Sequence, residues 1–155
     1  LHAEAIAATD GVDALAFGAE DLAADIGATR TAEGTEVSHA RQQVVLAGAA
    51  AGVDVIDTVY TDIEDGDGLA DETRFALELG YDGKMCIHPS QVRIVNDAFT
   101  PGGERIAWAR RILDAAIEAA DAGTGVFRVD GEMVDAPLIA QAERVRERAR
   151  AAGVW

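Results

Sequence analysis

Lysine is almost missing from this sequence of 155 residues. Lys84 is the only lysine, and 13 basic residues stand against 28 acidic ones, which gives a net charge of -15. A protein of this charge repels phosphates and anionic headgroups, so we expect neither nucleic acid nor a membrane surface as a partner. An acidic excess with so little lysine is typical of adaptation to high salt, where screening weakens self-repulsion.

Cysteine and long hydrophobic runs are equally scarce. Cys86 is the single cysteine, which excludes an internal disulfide and fits a reducing compartment. No apolar run approaches the ~18 residues that a membrane span needs, and no secretory signal is visible. We therefore expect a cytoplasmic protein. Because the chain opens at Leu1, just before a helical pattern at Ala3–Ala8, we also expect that its N-terminus is cut.

The first hundred residues repeat a strand followed by a helix. The predicted strands are Ala14–Gly18, Asp54–Tyr60 and Lys84–Pro89, and the predicted helices are Glu36–Ala51, Asp67–Gly80 and Ser90–Phe99, the last with Val92, Val95 and Phe99 on its apolar stripe. Such alternation predicts an α/β fold with parallel strands joined by crossover helices. The strands are nearly unbroken apolar runs, which indicates a sheet covered on both faces. Three units fit either an open sheet or the last part of an eight-unit barrel.

The remaining residues, 101–155, follow a different pattern. They predict a long helix from Pro101 to Gly123, a β-hairpin turning at Asp130-Gly131, and a final helix. The inner side of that helix is predicted to carry Ile139, Ala142, Val145 and Ala149, with its arginines in solvent. We therefore divide the chain into an α/β part, residues 1–100, and a C-terminal tail of helix, hairpin and helix.

Polar side chains cluster where the predicted strands end. They are Glu20, Asp21, Asp57, Asp62, His88 and Ser90. The working loops of α/β folds follow the carboxyl ends of the strands, and oxygen-rich loops suit a hard cation such as Mg²⁺. In a chain this acidic, solvated loops explain the same residues, so both interpretations stay open.

Two of these loops have simpler explanations than metal binding. The stretch Asp62–Gly68 fails the pattern of a calcium-binding EF-hand loop, because its glycine comes one place early and no glutamate closes it. A solvated loop that caps the next helix explains it better. His88 lacks the set of cysteines and histidines that a zinc site needs, so we expect a half-buried histidine bonded to backbone, or a ligand contact.

Asp135 supports two different roles. It precedes the last helix, with Pro137 in the first turn, which is the pattern of an N-cap. An aspartate on a tail hairpin could equally reach the active site of a neighbouring subunit.

Several long segments together resemble one family. The run LGYDGKMCIHPSQVRIVNDAFTP, Leu79–Pro101, resembles the citrate lyase beta-subunit and malyl-CoA lyase family of the aldolase/citrate lyase superfamily. The segments Phe17–Gly27, His39–Asp65 and Gly125–Val145 resemble it in the same order, so the resemblance covers essentially the whole chain.

The resemblance implies the C-terminal part of a TIM barrel, in trimers or hexamers, that makes or breaks a carbon–carbon bond between an acyl-CoA and an oxo-acid with Mg²⁺. Asp21 matches the family's metal-binding aspartate, while Ala19 and Glu20 would offer backbone amides to the substrate carboxylate. The family's metal-binding glutamate and substrate-binding arginine would lie upstream of Leu1.

The same resemblance gives roles to the later segments. Asp135, in the run MVDAP, matches an aspartate that exchanges a proton with the acyl-CoA of the adjacent subunit. Ile87, His88 and Pro89 would line the CoA side. We expect a lyase for malyl-CoA or beta-methylmalyl-CoA that gives glyoxylate and acetyl-CoA or propionyl-CoA. The alternatives are a citryl-CoA or citramalyl-CoA lyase, a pyruvate-type aldolase without CoA, and an inactive fragment serving only in assembly.

Overall fold

The computed structural model describes residues 2–155 and divides into two compact units, the first ending at Phe99 and the second beginning at Thr100. The first unit contains α1 (Ala3–Ala7), β1 (Ala14–Ala16), α2 (Ala19–Asp25), α3 (Ser38–Ala51), β2 (Asp54–Asp57), α4 (Gly66–Leu79), β3 (Gly83–Lys84) and α5 (Pro89–Phe99). The second contains α6 (Gly103–Asp121), β4 (Phe127–Val129), β5 (Glu132–Val134) and α7 (Ala136–Ala151). Within residues 2–155, every helix is too short or too polar to cross a membrane.

The three strands of the first unit form one parallel sheet in the order β1-β2-β3, which confirms the predicted parallel pairing. The third strand is much shorter than the predicted Lys84–Pro89. Pairing stops after the amide of Met85 donates to the carbonyl of Asp57 at 3.0 Å. Beyond that point Gln91 N donates to His88 O, so the chain is already turning into α5, and Pro89 could not have donated to a ladder.

The stretch after β1 was expected to be a loop, and that expectation is wrong. It forms α2, whose first turn carries Glu20 and Asp21, where negative charge complements the positive end of the helix dipole. Ala19 and Ala23 are fully buried in the core of the unit, so the small apolar side chains of the segment decide its structure. The two carboxylates therefore belong to a helix start.

Helix α3 packs closely on β2 through Gly48. A Cβ atom at this position would lie 2.3 Å from Val55 Cγ1 and 3.1 Å from the carbonyl oxygen of Val53, so only glycine allows this approach. The helix ends at Gly52 with φ 71°, as the sequence predicts. The buried core around this contact comprises Phe17, Ala19, Ala23, Val37, Val55, Ala76 and Tyr81.

The predicted apolar stripe of α5 is wrong at one position. Val92 is 47% exposed, whereas Gln91 and Val95 are buried. The helix is rotated because the side chain of Gln91 is hydrogen-bonded beneath it, to the backbone of Ile87 and Tyr60.

In the second unit, β4 and β5 pair antiparallel around Asp130-Gly131, which confirms the predicted hairpin turn. Both residues have positive φ, 52° and 85°, as a type I′ turn requires. Helix α6 begins at Gly103, two residues later than predicted. The core of the unit comprises Ala109, Ile112, Leu113, Val134, Ala142 and Val145, with Ile139 partly buried against it.

The prediction that the arginines of α7 lie in solvent holds only in part. Arg144 and Arg150 are exposed, but Arg146 and Arg148 are partly buried because their long stems lie along the protein surface.

Because of the close contact at Gly48, we expect a glycine-to-alanine substitution there to lower the stability of the protein, which is opposite to its usual effect in a helix. Replacing a helix-interior glycine by alanine ordinarily stabilises a protein by about 0.5–1 kcal/mol. We expect Gly48→Ala instead to lower the free energy of unfolding by about 1–3 kcal/mol, because the added methyl group overlaps Val55 and backbone. Urea unfolding measures the change.

Gly103→Ala is the matched control, since a Cβ atom there meets nothing within 4 Å and the residue starts α6. It should leave the protein as stable as the wild type or more so. A Gly48→Ala protein that matches its parent in stability would contradict the described packing.

Candidate functional site

The carboxyl ends of β1, β2 and β3 lie at one edge of the sheet, because the three strands are parallel. The chain leaves this edge through Phe17–Gly18, through residues 58–65, and through residues 85–88. In α/β folds this edge carries the binding and catalytic groups. Apart from Asp57, which ends β2, the candidate residues of the first unit lie in these segments or in the helix turns that follow them.

Asp57 is not available to a ligand, which overturns its place among the candidate metal residues. Its side chain is fully buried. Arg41 Nε lies 2.8 Å from Asp57 Oδ1, and Arg41 Nη2 lies 2.6 Å from Oδ2. Lys84 Nζ lies 2.8 Å from the same Oδ2. The carboxylate therefore points toward α3, and both of its oxygens are hydrogen-bonded to the side chains of Arg41 and Lys84.

This buried ion cluster contains a second carboxylate. Glu72 on α4 lies 3.0 Å from Lys84 Nζ and 3.6 Å from Arg41 Nη1. Two cations thus face two anions, so the buried charges balance. The hydroxyl of Tyr81 donates to the carbonyl of Arg41 at 2.8 Å, and burial raises the pKa of Tyr81, which keeps it a neutral donor. Removing one partner of such a cluster typically costs about 3–5 kcal/mol.

Asp21 lies in the first turn of α2 with its side chain exposed. Its carboxylate folds back over the chain, since a Cβ atom on Gly18 would be 3.5 Å from Asp21 Oδ2. Within residues 2–155, no hydrogen bond or ion pair occupies this carboxylate. The same residues contain no group of three or more histidine, cysteine, aspartate or glutamate side chains that could hold a metal. Asp21 thus offers one unpaired carboxylate at this edge of the sheet.

The carboxylate of Glu20 is directed elsewhere. It accepts a hydrogen bond from Arg30 Nε at 2.9 Å, and Arg30 also pairs with Glu36. Burial opposes the charge of Arg30, but the hydrogen bonds to both carboxylates outweigh burial and raise its pKa. The hydroxyl of Thr31 holds the pKa of Glu36 at about 2. The carboxylate of Glu20 is therefore engaged, whereas its backbone N–H lies in the first turn of α2, where amides lack an intrahelical acceptor.

The amide of Ala19 already has an acceptor inside the protein. It donates to Thr58 Oγ1 at 3.2 Å, and both residues are buried. The predicted use of this amide by a substrate carboxylate would require that bond to be exchanged. In the structure its role is to attach α2 to the end of β2.

His88 is exposed, so the expectation of a half-buried histidine is wrong. The expected backbone bond is present, because Ser90 N donates to His88 Nδ1 at 3.3 Å, and Ser90 Oγ lies 2.8 Å away from the same atom. A neutral ring that accepts at Nδ1 carries its proton at Nε2. His88, Ile87 and Pro89 form an exposed row that can contact a ligand.

The loop after β2 caps α4, as the sequence predicts. Asp65 Oδ1 accepts from Gly68 N at 2.9 Å, and Tyr60 donates its hydroxyl to Asp65 Oδ2 at 2.6 Å. The hydrogen bond to Asp65 raises the pKa of Tyr60 to about 12. Asp62 accepts from Glu64 N at 3.1 Å. The carboxylates of Asp62 and Asp65 thus make hydrogen bonds within the loop and the helix start that follows it.

Four buried polar residues at this edge were missed by the sequence analysis: Arg41, Thr58, Lys84 and Gln91. A signal was present for three of them. Arg41 falls on the apolar face of its helix, four residues after Val37, and Gln91 falls four residues before Val95. Lys84 is the only lysine and begins the apolar run that predicts the third strand. A charged or amide group in such a place needs a partner, and that need can be read from the sequence.

Asp135 belongs to the second unit and caps α7, which confirms the structural half of its prediction. Its side chain accepts from Leu138 N at 3.4 Å, and its backbone is extended. The residue is partly exposed, so its other carboxylate oxygen is not sealed in the core.

Known proteins match this chain over most of its length. It is 41% identical over 134 residues to the mitochondrial citramalyl-CoA lyase of Rattus norvegicus, covering 86% of this chain and 40% of that protein. It is 38% identical over 136 residues to the citrate lyase subunit beta of Haemophilus influenzae, covering 88% of this chain and 47% of that protein. The chain thus spans less than half the length of these relatives.

Solved structures share the fold. The CitE protein from Mycobacterium tuberculosis, in complex with magnesium, acetoacetate and coenzyme A, superposes with a TM-score of 0.80 at 40% identity, covering 96% of this chain and 56% of that one. A citrate lyase from Burkholderia xenovorans superposes with a TM-score of 0.79 at 28% identity, covering 98% of this chain and 50% of that one. The α/β fold of this chain is therefore that of citrate lyase beta-subunit structures.

A family model describes the first unit. The model for the HpcH/HpaI aldolase/citrate lyase family matches residues 1–89, which include α2, the buried ion cluster and the row at Ile87–Pro89. The match covers more than half of the chain. The chain belongs to the HpcH/HpaI aldolase/citrate lyase family.

Proposed function

We propose that the complete protein is a Mg²⁺-dependent carbon–carbon lyase that cleaves an acyl-CoA such as malyl-CoA or beta-methylmalyl-CoA to an oxo-acid and a shorter acyl-CoA. The observation that carries the proposal is the free carboxylate of Asp21, in a chain that superposes on a protein bound to magnesium, acetoacetate and coenzyme A. The reaction class is supported by relatives named as citramalyl-CoA lyase and citrate lyase subunit beta.

The proposed architecture is the last three βα units of a TIM barrel. The three strands run parallel in sequence order and each is followed by a helix, as in a barrel. Strands β1 and β3 are the outer strands of this small sheet, and the backbone on the outer side of each is left without a strand partner. Further strands of the complete protein would close the barrel and cover the exposed inner residues Ala14 and Ala16.

The residues of the carboxyl edge fit a magnesium ion on chemical grounds. Asp21 offers an exposed, unpaired carboxylate, which is a hard oxygen ligand of the kind Mg²⁺ takes. Bound magnesium would polarise the carbonyl group of the oxo-acid. Because one carboxylate does not make a site, further ligands must come from the complete protein. Asp21 would hold its side of the ion, and the amide of Glu20 would orient the substrate carboxylate.

The exposed row Ile87–Pro89 is proposed to line the CoA side. Its apolar members can pack against the pantetheine arm, and the exposed Nε2–H of His88 can donate to a carbonyl or phosphate oxygen. Within residues 2–99, each arginine and Lys84 is paired with a carboxylate, so cations from elsewhere in the complete protein are proposed to meet the phosphates of CoA.

A second substrate class has its own support. The similarity to citramalyl-CoA lyases, at 41% identity, and to citrate lyase beta subunits, at 38%, favours citramalyl-CoA or citryl-CoA as strongly as malyl-CoA. All four substrates share the same bond to be broken, so the residues described here would act on each in the same way.

Asp135 is proposed as the group that exchanges a proton with the acyl-CoA of an adjacent subunit in a homo-oligomer, a trimer or hexamer. It is partly exposed, and its helix-capping bond occupies only one carboxylate oxygen. The other oxygen can therefore take up or release a proton without loss of the cap.

The substrate class and the metal requirement are tested together. The purified complete protein should cleave at least one of malyl-CoA, beta-methylmalyl-CoA, citramalyl-CoA and citryl-CoA, should lose activity in EDTA, and should regain it with Mg²⁺. Free 4-hydroxy-2-oxo acids serve as the comparison substrates. Turnover of the free acids alone would place the protein among aldolases and refute an acyl-CoA lyase.

Asp135→Asn separates a helix cap from a proton carrier. Asparagine caps about as well as aspartate, so the thermal midpoint should stay near that of the wild type. The amide cannot carry the proton, so kcat should fall about 10²-fold or more. Asp130→Asn, in the turn of the same hairpin, is the control and should keep both stability and kcat, since asparagine accepts positive φ. Near-normal kcat in Asp135→Asn would remove the residue from the chemistry.

A mixing experiment tests whether Asp135 serves another chain. Asp135→Asn subunits are mixed with Asp21→Asn subunits and allowed to exchange. Shared sites would regain one intact Asp21 and one intact Asp135, so activity should partly return. Mixed oligomers that stay as inactive as both parents would show that no site is shared.

A further inference from the structure

Two buried side chains connect the three segments that follow the strands at the carboxyl edge. Thr58 accepts from the amide of Ala19 and so joins the end of β2 to α2. Gln91 joins the loops after β2 and β3, because its Nε2 donates to Tyr60 O and its Oε1 accepts from Ile87 N, each at 2.9 Å. The start of α2, which carries Asp21, and the exposed row Ile87–Pro89 are therefore connected through one series of hydrogen bonds.

A primary amide is the side chain that suits the position of Gln91. It presents a donor and an acceptor side by side, and the two backbone groups that it meets are a carbonyl and an N–H. Gln91 is 1% exposed, so it can act only through the backbone that it holds. The side chain of Ile87, in contrast, is 50% exposed directly above its fastened amide.

The segment that Gln91 fastens has little else to hold it. Residues 85–88 lie outside any helix or strand. Their backbone amides are held at Met85, by the carbonyl of Asp57, and at Ile87, by Gln91. Without Gln91 the free chain would sample other conformations, and a substrate would have to order it on binding.

We propose that Gln91 is a positioning residue for the acyl-CoA substrate. Its hydrogen bonds hold the backbone of Ile87–Pro89 in the conformation against which the thioester arm packs. Gln91 does not hold α2, which carries Asp21, because α2 is attached through Thr58. The inference rests on the proposed function, since it assigns a residue to the binding of that function's substrate. It requires that loss of Gln91 weakens the use of acyl-CoA and spares both the metal and the chemical step.

Gln91→Glu tests the role because protonation can restore it. The ionised carboxylate still accepts from Ile87 N but cannot donate to Tyr60 O, whereas the protonated acid can do both. Burial raises the pKa of the introduced carboxyl above its usual value of about 4.3. KM for the acyl-CoA should rise about tenfold at pH 8, relative to the wild type at the same pH, and the difference should shrink as the pH falls toward about 5.

Three further readouts separate positioning from general damage. At each pH, kcat should change less than about twofold and the Mg²⁺ concentration for half activity should stay at its wild-type value, because Asp21 is held through Thr58. The thermal midpoint shows that the variant is folded. Gln42→Glu, an exposed glutamine of α3, adds the same charge and should leave KM unchanged at every pH.

Gln91→Met covers the case in which the carboxylate variant does not fold. Methionine has a similar length and no polar atoms that need partners, and it should raise KM about tenfold with no recovery at low pH. Unchanged KM in a folded Gln91 variant, or a parallel fall of kcat, metal response and thermal midpoint, would overturn the positioning role. Lack of acyl-CoA turnover in the wild type would instead refute the proposed function, and this inference with it.

Discussion

The structure of the first unit depends on the buried contact between Asp57 and its two cations. Arg41 reaches the carboxylate from α3 and Lys84 reaches it from the next strand, so a single side chain joins a helix and two strands. Glu72 brings α4 into the same cluster and balances the charge. A fully buried carboxylate is tolerable only when it is paired and hydrogen-bonded in this way. The cluster therefore links the ends of β2 and β3 to α3 and α4.

The candidate site follows directly from that fixed point. Thr58 is the next residue after Asp57, and its hydroxyl holds the amide of Ala19 at the start of α2. Asp21 lies two residues further along the same helix turn, with its carboxylate left free. On the other side, the amide of Met85 bonds to the carbonyl of Asp57. One buried ion cluster thus supports both sides of the carboxyl edge, while the groups that would meet a ligand remain uncommitted.

Local patterns in the sequence predicted most of the elements, but they did not show most of the element ends or the contacts at the site. Gly52 and Asp130-Gly131 have conformations that few residues adopt, so the end of α3 and the hairpin turn were readable. Helix α2 was missed because its first turn is acidic and the helix is short, and only the burial of Ala19 and Ala23 reveals it. Asp57 was wrongly included among the candidate metal residues for a related reason. Its side chain is buried because it pairs with Arg41, and a partner 16 residues earlier in the chain is not visible in a local pattern.

The proposed function assigns to Asp21 the role of the metal ligand that this chain contributes. Titration calorimetry with Mg²⁺ on the complete protein, comparing the wild type with Asp21→Asn and Asp25→Asn, tests it without any assay of turnover. Both aspartates are exposed and lie on α2, so the variants lose the same charge from the same helix. The account predicts that Asp21→Asn weakens Mg²⁺ binding about tenfold or more, while Asp25→Asn binds as the wild type does. Wild-type affinity in Asp21→Asn would contradict it.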